Sequence, residues 1–176
     1  YPYDPMRLTQ AVEEYRDTAS QEAVLLVNSD DNVRLRVAGK IAQDLNRCGM
    51  KVKVTGLPTK EYIQALKNGA FDLYLGQTKL SPNMDLSVFF SNKGSLNYGG
   101  FSDVALNSLC RESLANYGNY YTLHKSVMDD GRLCPILFRS YAVYATRGLL
   151  TGLTPSRDSV FYYSLGRTME NALLKD

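Results

Sequence analysis

The apolar positions of the chain change period several times, and each change marks an element. Ala23-Val24-Leu25-Leu26-Val27 is an unbroken apolar run, too short for a helix and rich in β-branched residues, so Glu22 to Asn28 is predicted to be a buried strand. From Asn32 to Cys48 the apolar residues Val33, Val37, Ala38, Ile41, Ala42 and Leu45 recur at helical spacing, and Gly49 stands where a helix C-terminus favours it. Lys51 to Thr55 alternates Val52 and Val54 with polar residues, the period of a strand. Pro58-Thr59 opens a second helix through Tyr62, Ile63 and Leu66 that ends near Gly69, and Phe71 to Leu75 forms another apolar strand. Strand, helix, strand, helix, strand with short connections predicts an α/β fold whose sheet has parallel neighbours and covering helices. Ligands of such sheets bind beyond the carboxyl ends of the strands. Those ends are Asn28-Ser29, Thr55-Gly56 and Gly76-Gln77-Thr78-Lys79.

The flanks are less regular. Asp4-Pro5 supplies a cap and a first-turn proline for a short helix from Met6 to Arg16. After the third strand comes a turn-rich stretch with Ser81-Pro82-Asn83, the apolar Val88-Phe89-Phe90, and Asn97-Tyr98-Gly99-Gly100. Irregular segments of this length in compact domains are usually functional or mobile. Ser102 to Leu114 and Gly118 to Met128 are predicted helices, while Cys134 to Phe138 and Tyr141 to Ala145 read as extended. Val160-Phe161-Tyr162-Tyr163 has strand character but no evident place in the sheet.

Bulk properties narrow the function classes. The 176 residues suffice for one domain with trimmings; 44% are hydrophobic and 22% charged, and no run approaches the apolar length that crosses a bilayer. A net charge of +2, with Lys and Arg scattered among Asp and Glu, leaves no basic footprint for nucleic acid. Cys48, Cys110 and Cys134 form no CxxC pair and read as small buried hydrophobes. Tyr1-Pro2-Tyr3-Asp4-Pro5 lacks the charged and apolar regions of a secretion signal, which leaves open whether one has been removed.

Candidate chemistry is sparse. Gln77, Thr78 and Lys79 follow a buried strand, where backbone groups released from the sheet can meet a solute; a plain surface turn is the alternative. Asn97, Tyr98 and Gly99 combine an amide, an aromatic face and a flexible backbone, suited to a small polar ligand or equally to a solvent loop. Asp30-Asp31 after the first strand echoes a phosphoacceptor receiver-like signalling domain. Such a domain needs an Asp at the end of its third strand, where this chain has Leu75-Gly76-Gln77, so the acids read better as helix caps. His124 is the single histidine and reads as a surface helix residue. The clustered tyrosines, among them Tyr117, Tyr120, Tyr121, Tyr144 and Tyr162, read as amphipathic core edges with the hydroxyl in water. No Gly-rich phosphate loop or paired catalytic carboxylates occur.

The order of motifs resembles the C-terminal half of the peptide- and nickel-binding family of ABC importer solute receptors, extracellular solute-binding proteins of family 5. Tyr3-Asp4-Pro5 before a helix is similar to the family's Tyr-Asp-Pro step, and Cys48-Gly49-Met50-Lys51-Val52 to its helix, Gly-Ile-x-Val step. Tyr62 to Leu66 followed by Gly69-Ala70-Phe71-Asp72-Leu73 resembles its Tyr, Leu, Gly-x-Phe-Asp step. Asn97 to Leu109 resembles its Asn, Gly-Tyr-Ser region with Phe101 for the Tyr, and Asp129-Asp130 to Phe138 its acidic pair and Pro-x-x-Pro-Leu strand. The resemblance implies a lobe of the periplasmic-binding-protein type (type II, cluster C), with a mixed, mostly parallel sheet flanked by helices. Residues 1–148 would form the second ligand-binding lobe, and 149–176 a tail returning toward a missing N-terminal lobe. It further implies an extracytoplasmic receptor, in the periplasm or as a cell-surface lipoprotein, that closes on a peptide or other small polar solute and delivers it to ABC permease subunits in the membrane. Together with the missing catalytic motifs, this resemblance makes binding without chemistry the expectation, with no enzyme activity and no cofactor; an enzyme of unknown type depending on His124 is the competing class. The family's loop after the third strand carries a Trp and then an Asp that pairs with a peptide's α-ammonium group. Here Gly76-Gln77-Thr78-Lys79-Leu80-Ser81-Pro82-Asn83-Met84-Asp85 lacks the Trp, and Asp85 matches a later Asp. Lys79 would favour an anionic or carboxylate-bearing group. The candidate ligand set is therefore Gln77, Thr78, Lys79, Asp85, Asn97, Tyr98 and Gly99.

Overall fold

Leu26 and Val27, at 1% and 0% exposure, lie at the centre of the strand that organises the fold. In the computed structural model, which describes residues 3–19, 21–81, 83–139, 144, 156 and 159, β1 (Glu22–Asn28) stands between β2 (Lys51–Leu57) and β3 (Leu73–Leu75). Both pairings are parallel, with Leu26 opposite Thr55 on one side and Tyr74 on the other. The described sheet is thus all-parallel, in keeping with the mostly parallel sheet expected, and no antiparallel strand joins it among the described residues. Cys134 to Phe138, which read as extended, takes no part in it. Tyr141 to Ala145, apart from Tyr144, and Val160 to Tyr163 lie outside the described residues.

The central position explains the unbroken apolar run of β1. Leu25 and Val27 pack with Ala38 and Ala42 of α3 (Asn32–Arg47) and with Val52. Leu26 points to the opposite face, against Tyr62 and Leu66 of α4 (Thr59–Lys67). Burying one such side chain contributes about 1.5–3 kcal/mol. β2 is at the edge of the described sheet, and its alternation shows that one face is covered there: Val52 packs under α3 while Lys51 and Lys53 are exposed. α3 starts at Asp31, whose carboxylate accepts from the Val33 and Arg34 N–H groups, and it stops at Gly49, whose φ of 99° suits glycine. β3 begins at Leu73, two residues later than the apolar run suggests. The Asp72 N–H donates to the Val24 carbonyl while its carboxylate accepts from the Val24 N–H at 2.7 Å, so a side chain replaces one rung of the ladder.

The first helix divides into α1 (Pro5–Glu14) and a turn, α2 (Arg16–Ala19), with the Asp4 carboxylate capping α1 through the Arg7 N–H. Val88-Phe89-Phe90 lies in a one-turn helix, α5 (Ser87–Phe90), which anchors Phe90 in the core at 2% exposure. α6 (Val104–Ala115) buries Leu106, Cys110 and Ser113, and α7 (Tyr120–Asp130) buries Leu123 and Val127, spacings that keep one face inward. A 3-10 turn over Tyr117–Asn119 joins them. The chain forms two compact units, Tyr1–Arg132 and Leu133–Asp176; every helix and strand above belongs to the first.

The cysteines separate. Cys48 and Cys110 are buried as expected, and burial, with Asp85 nearby, pushes the Cys110 thiol up to about 11, which keeps it protonated and inert. Cys134 is exposed, against expectation. Tyr117, Tyr121 and Tyr144 are also largely exposed and are not core edges.

Candidate functional site

The chain leaves β1 and enters α3 on one face, then leaves β2 and crosses by α4 to β3 on the far side of β1. The carboxyl ends of β1 and β3 therefore flank the point where the winding reverses, the place where ligands of open α/β sheets bind. The two ends differ in chemistry.

At the end of β1 the polar groups satisfy one another. Asn28, 5% exposed, donates from its amide to Thr59 Oγ1 at 2.9 Å and accepts from the Asp30 N–H at 2.8 Å. The Asp30 carboxylate accepts from Thr59 N–H at 2.8 Å and Thr59 Oγ1 at 2.6 Å, and so caps α4 from a neighbouring loop. The Ser29 N–H donates to the Leu57 carbonyl at 2.8 Å, which closes the end of β2 as well. Asp31 caps its own helix and pairs with Arg34. The Thr59 hydroxyl, then its N–H, holds the Asp30 carboxyl below the usual carboxylate range, and hydrogen bonding by the Arg34 N–H does the same at Asp31. The acidic pair thus occupies two helix N-termini, as the cap reading expects.

At the end of β3 the chain runs out into solvent. Gly76, Gln77, Thr78 and Lys79 are all exposed. Beneath them the Tyr62 hydroxyl donates to the Leu75 carbonyl at 3.1 Å, and burial pushes that phenol up to about 12. Tyr74 meets Phe71 edge-on at 5.1 Å and Tyr98 edge-on at 6.0 Å. The second contact sets Tyr98 of the Asn97–Gly99 loop against Tyr74, three residues before Gln77.

Within that loop the roles differ. The Asn97 amide donates to the carbonyls of Ser91 and Phe101, at 2.9 and 2.7 Å, and accepts from the Phe101 N–H at 2.8 Å, so it braces its own loop. A Cβ at Gly99 would come within 2.4 Å of the Phe101 ring, and Gly100 has a φ of 65°. A side chain at 99 would thus have to push the Phe101 ring aside, and glycine is favoured at 100 by conformation. Asp85 stands apart from these residues in its bonding. Its carboxylate accepts from the Ser87 N–H and hydroxyl at 2.8 and 2.9 Å and starts α5. His124 is exposed on α7, edge-on to Tyr120.

Sequence reasoning missed a bracket behind this loop. The Arg132 guanidinium lies over the Phe101 ring at 5.0 Å and is ion-paired to Asp103 and Asp130. The sequence signal was a cation shortly after the acidic pair Asp129-Asp130, too weak to reveal its aromatic partner. Two open grooves lie away from the seven candidate residues, the first of them beside the bracket. One of about 530 Å³ is lined by Asp103, Leu106 and Asp129 among others, and one of about 310 Å³ by Val12, Arg16 and Cys48 among others. None of the seven candidate residues lines either groove. Among the described residues, no cluster of three or more His, Cys, Asp or Glu is placed to hold a metal, and no helix is long and apolar enough to cross a membrane.

No family model matches the chain, and no curated protein sequence matches it. Solved structures do. The oligopeptide-binding protein AppA from Bacillus subtilis, in complex with a nonapeptide, aligns at a TM-score of 0.62 and 16% identity, over 73% of this chain and 30% of its own. The fold is that of a part of a periplasmic-binding-protein-like solute-binding protein. OppA from Haemophilus influenzae, in complex with RPPGFSPFR, aligns at 0.60 and 15% identity, over 72% of this chain and 28% of its own. NikZ from Campylobacter jejuni, in complex with Ni(L-His), aligns at 0.56 and 19% identity, over 73% and 30%. The match thus spans less than a third of the length of these family 5 structures, which are binding proteins rather than enzymes.

Proposed function

We propose that this chain is the second lobe of an extracytoplasmic ABC-importer receptor and provides one wall of a cleft for a peptide or other small polar solute. The observation that carries the reading is the fold, shared with under a third of each of several proteins that bind peptides or a nickel complex. The exposed end of β3 is consistent with a wall that lacks its counterpart. Residues 1–148 form the lobe in this reading, and 149–176 return toward an N-terminal partner lobe.

Gln77, Thr78 and Lys79 offer backbone groups, a hydroxyl and a cation, and Tyr98 an aromatic face. Asn97 and Gly99 shape the loop that carries Tyr98, and Asp85 sets the start of α5 below it. Lys79 favours a carboxylate-bearing solute, because an ammonium acts as a compact point charge toward anions. Binding involves no bond making. Two open lobes admit solute, contacts from both stabilise the closed form, and closure presents the surface that docks on permease subunits. Delivery to a permease and a periplasmic or lipoprotein location belong to the same proposal.

A ligand shifts such an equilibrium only by its differential affinity for the closed form, so one lobe alone binds weakly. Titration calorimetry of the isolated chain against short peptides, the nonapeptide RPPGFSPFR included, is expected to give weak binding. Submicromolar affinity would contradict the half-site reading. The receiver-like alternative has no observation in its favour, since Asp30 and Asp31 are engaged as caps; labelling of either by acetyl phosphate would revive it.

A further inference from the structure

Phe101, Arg132, Asp103 and Asp130 form a connected unit that the solute-site residues themselves do not require. Asp103 caps α6 by accepting from the Leu106 N–H at 2.9 Å, and Asp130 lies at the end of α7, before Gly131 with its φ of 75°. Arg132 joins both carboxylates and lays its guanidinium over Phe101. The same ring closes on Gly99, and the backbone of Phe101 is bonded in both directions to the Asn97 amide. Between those two anchors sits Tyr98, whose ring contacts Tyr74 just before the end of β3. A continuous set of contacts thus runs from two helix ends, through one guanidinium and one ring, to the aromatic residue beside the candidate cleft.

We infer that Arg132 is a positioning residue: pinned between Asp103 and Asp130, it clamps Phe101 onto the Asn97–Gly99 loop and so fixes where Tyr98 stands on the cleft wall. The function assigned to Tyr98 rests on the reading proposed above; the clamp itself does not. Three features make the arrangement suited to positioning. Two carboxylates prevent the guanidinium from rotating away, because each takes part of its donor fork. A planar cation stacks on an aromatic face in a way that an ammonium does not reproduce. The absent side chain at Gly99 lets the ring approach the backbone directly, so a shift of the ring is transmitted to the loop.

The test compares Arg132→Lys and Arg132→Gln in the full chain by amide hydrogen exchange, alone and combined with Phe101→Leu. Arg132→Lys keeps a cation between Asp103 and Asp130 but loses the flat stack. It is expected to speed exchange in 97–101 by roughly three- to tenfold, the scale of one cation–π contact, with 24–27 of β1 unchanged. Arg132→Gln is expected to do at least as much. In the Phe101→Leu background, Arg132→Lys should add no further effect, since the two residues act as one unit. A general packing role would instead speed 97–101 and 24–27 alike, or give additive effects, and either result overturns the clamp. Unchanged exchange in 97–101 overturns it too. These readouts need no ligand, so failure of the solute-receptor reading would leave them unaffected. Conversely, a loosened 97–101 with unaltered binding of RPPGFSPFR by a two-lobed form would keep the clamp and remove Tyr98 from the cleft.

Discussion

The two strand ends that flank the switch point are made of similar residue types and behave in opposite ways. At the end of β1, an amide, a carboxylate, a hydroxyl and two helix N-termini bond to one another, and Asn28 is buried. At the end of β3, Gly76 to Lys79 stand in solvent, above a floor of tyrosines that supports them without covering them. Position at a switch point is therefore insufficient to make a binding edge. The polar groups must also stay accessible, and the acidic pair at 30 and 31 is engaged within its own domain. The exposed end of β3 is the one open to a second surface.

Several substitutions would break or sharpen this contrast. The largest effect is expected from Leu26→Ala, which empties the floor common to both ends, at the contact with Tyr62 and Leu66. Cavity formation there should cost about 2–5 kcal/mol in urea unfolding. Asn28→Ala removes the two hydrogen bonds of a buried amide, one to Thr59 Oγ1 and one from the Asp30 N–H, and should cost about 1–3 kcal/mol. A cost near zero would mean that the closed end is not closed.

Acid should weaken the β1 end, as it should the carboxylates of the Arg132 bracket, which are also held low. The Asp30 and Asp31 carboxyls are held below their unfolded pKa of 3.8, so their stabilising bonds are fully present above that value and are lost as pH falls through the depressed folded values. Asp30→Asn should therefore lower the melting temperature at neutral pH by an amount that shrinks below about pH 4. A pH-independent effect would contradict the cap assignment. Smallest of all, Gln77→Ala and Thr78→Ala should change stability by less than about 0.5 kcal/mol, because both side chains are exposed.

The sheet half of the chain was legible because period and burial agree there. β1 reads as buried since both its faces are covered, and α3 reads as a helix since Val37, Ala38, Ile41, Ala42 and Leu45 hold one face over sixteen residues. The short elements were not legible. Val88-Phe89-Phe90 carries no helical period over a single turn, and the Asp85 carboxylate, bonded to Ser87, holds the start of that turn. The three residues of β3 give no alternation to read, and Asp72 replaces a rung in a way no periodicity encodes. Cys134 carries no local signal for its exposure. For the candidate site, strand-end logic pointed to Gln77 to Lys79, which are exposed, and gave no hint that Tyr98 packs on Tyr74 of β3. It missed the clamp because a guanidinium and a ring far apart in sequence meet only through tertiary structure.

Backbone amide shifts of the isolated, isotope-labelled chain, followed by NMR during titration with RPPGFSPFR, address the half-cleft most directly. The expected result is a weak, unsaturated response confined to 77–79 and 97–99, with Asn28 to Asp31 and Thr59 unmoved. Shifts centred on Asn28 to Asp31, or tight saturable binding by this chain alone, would contradict it.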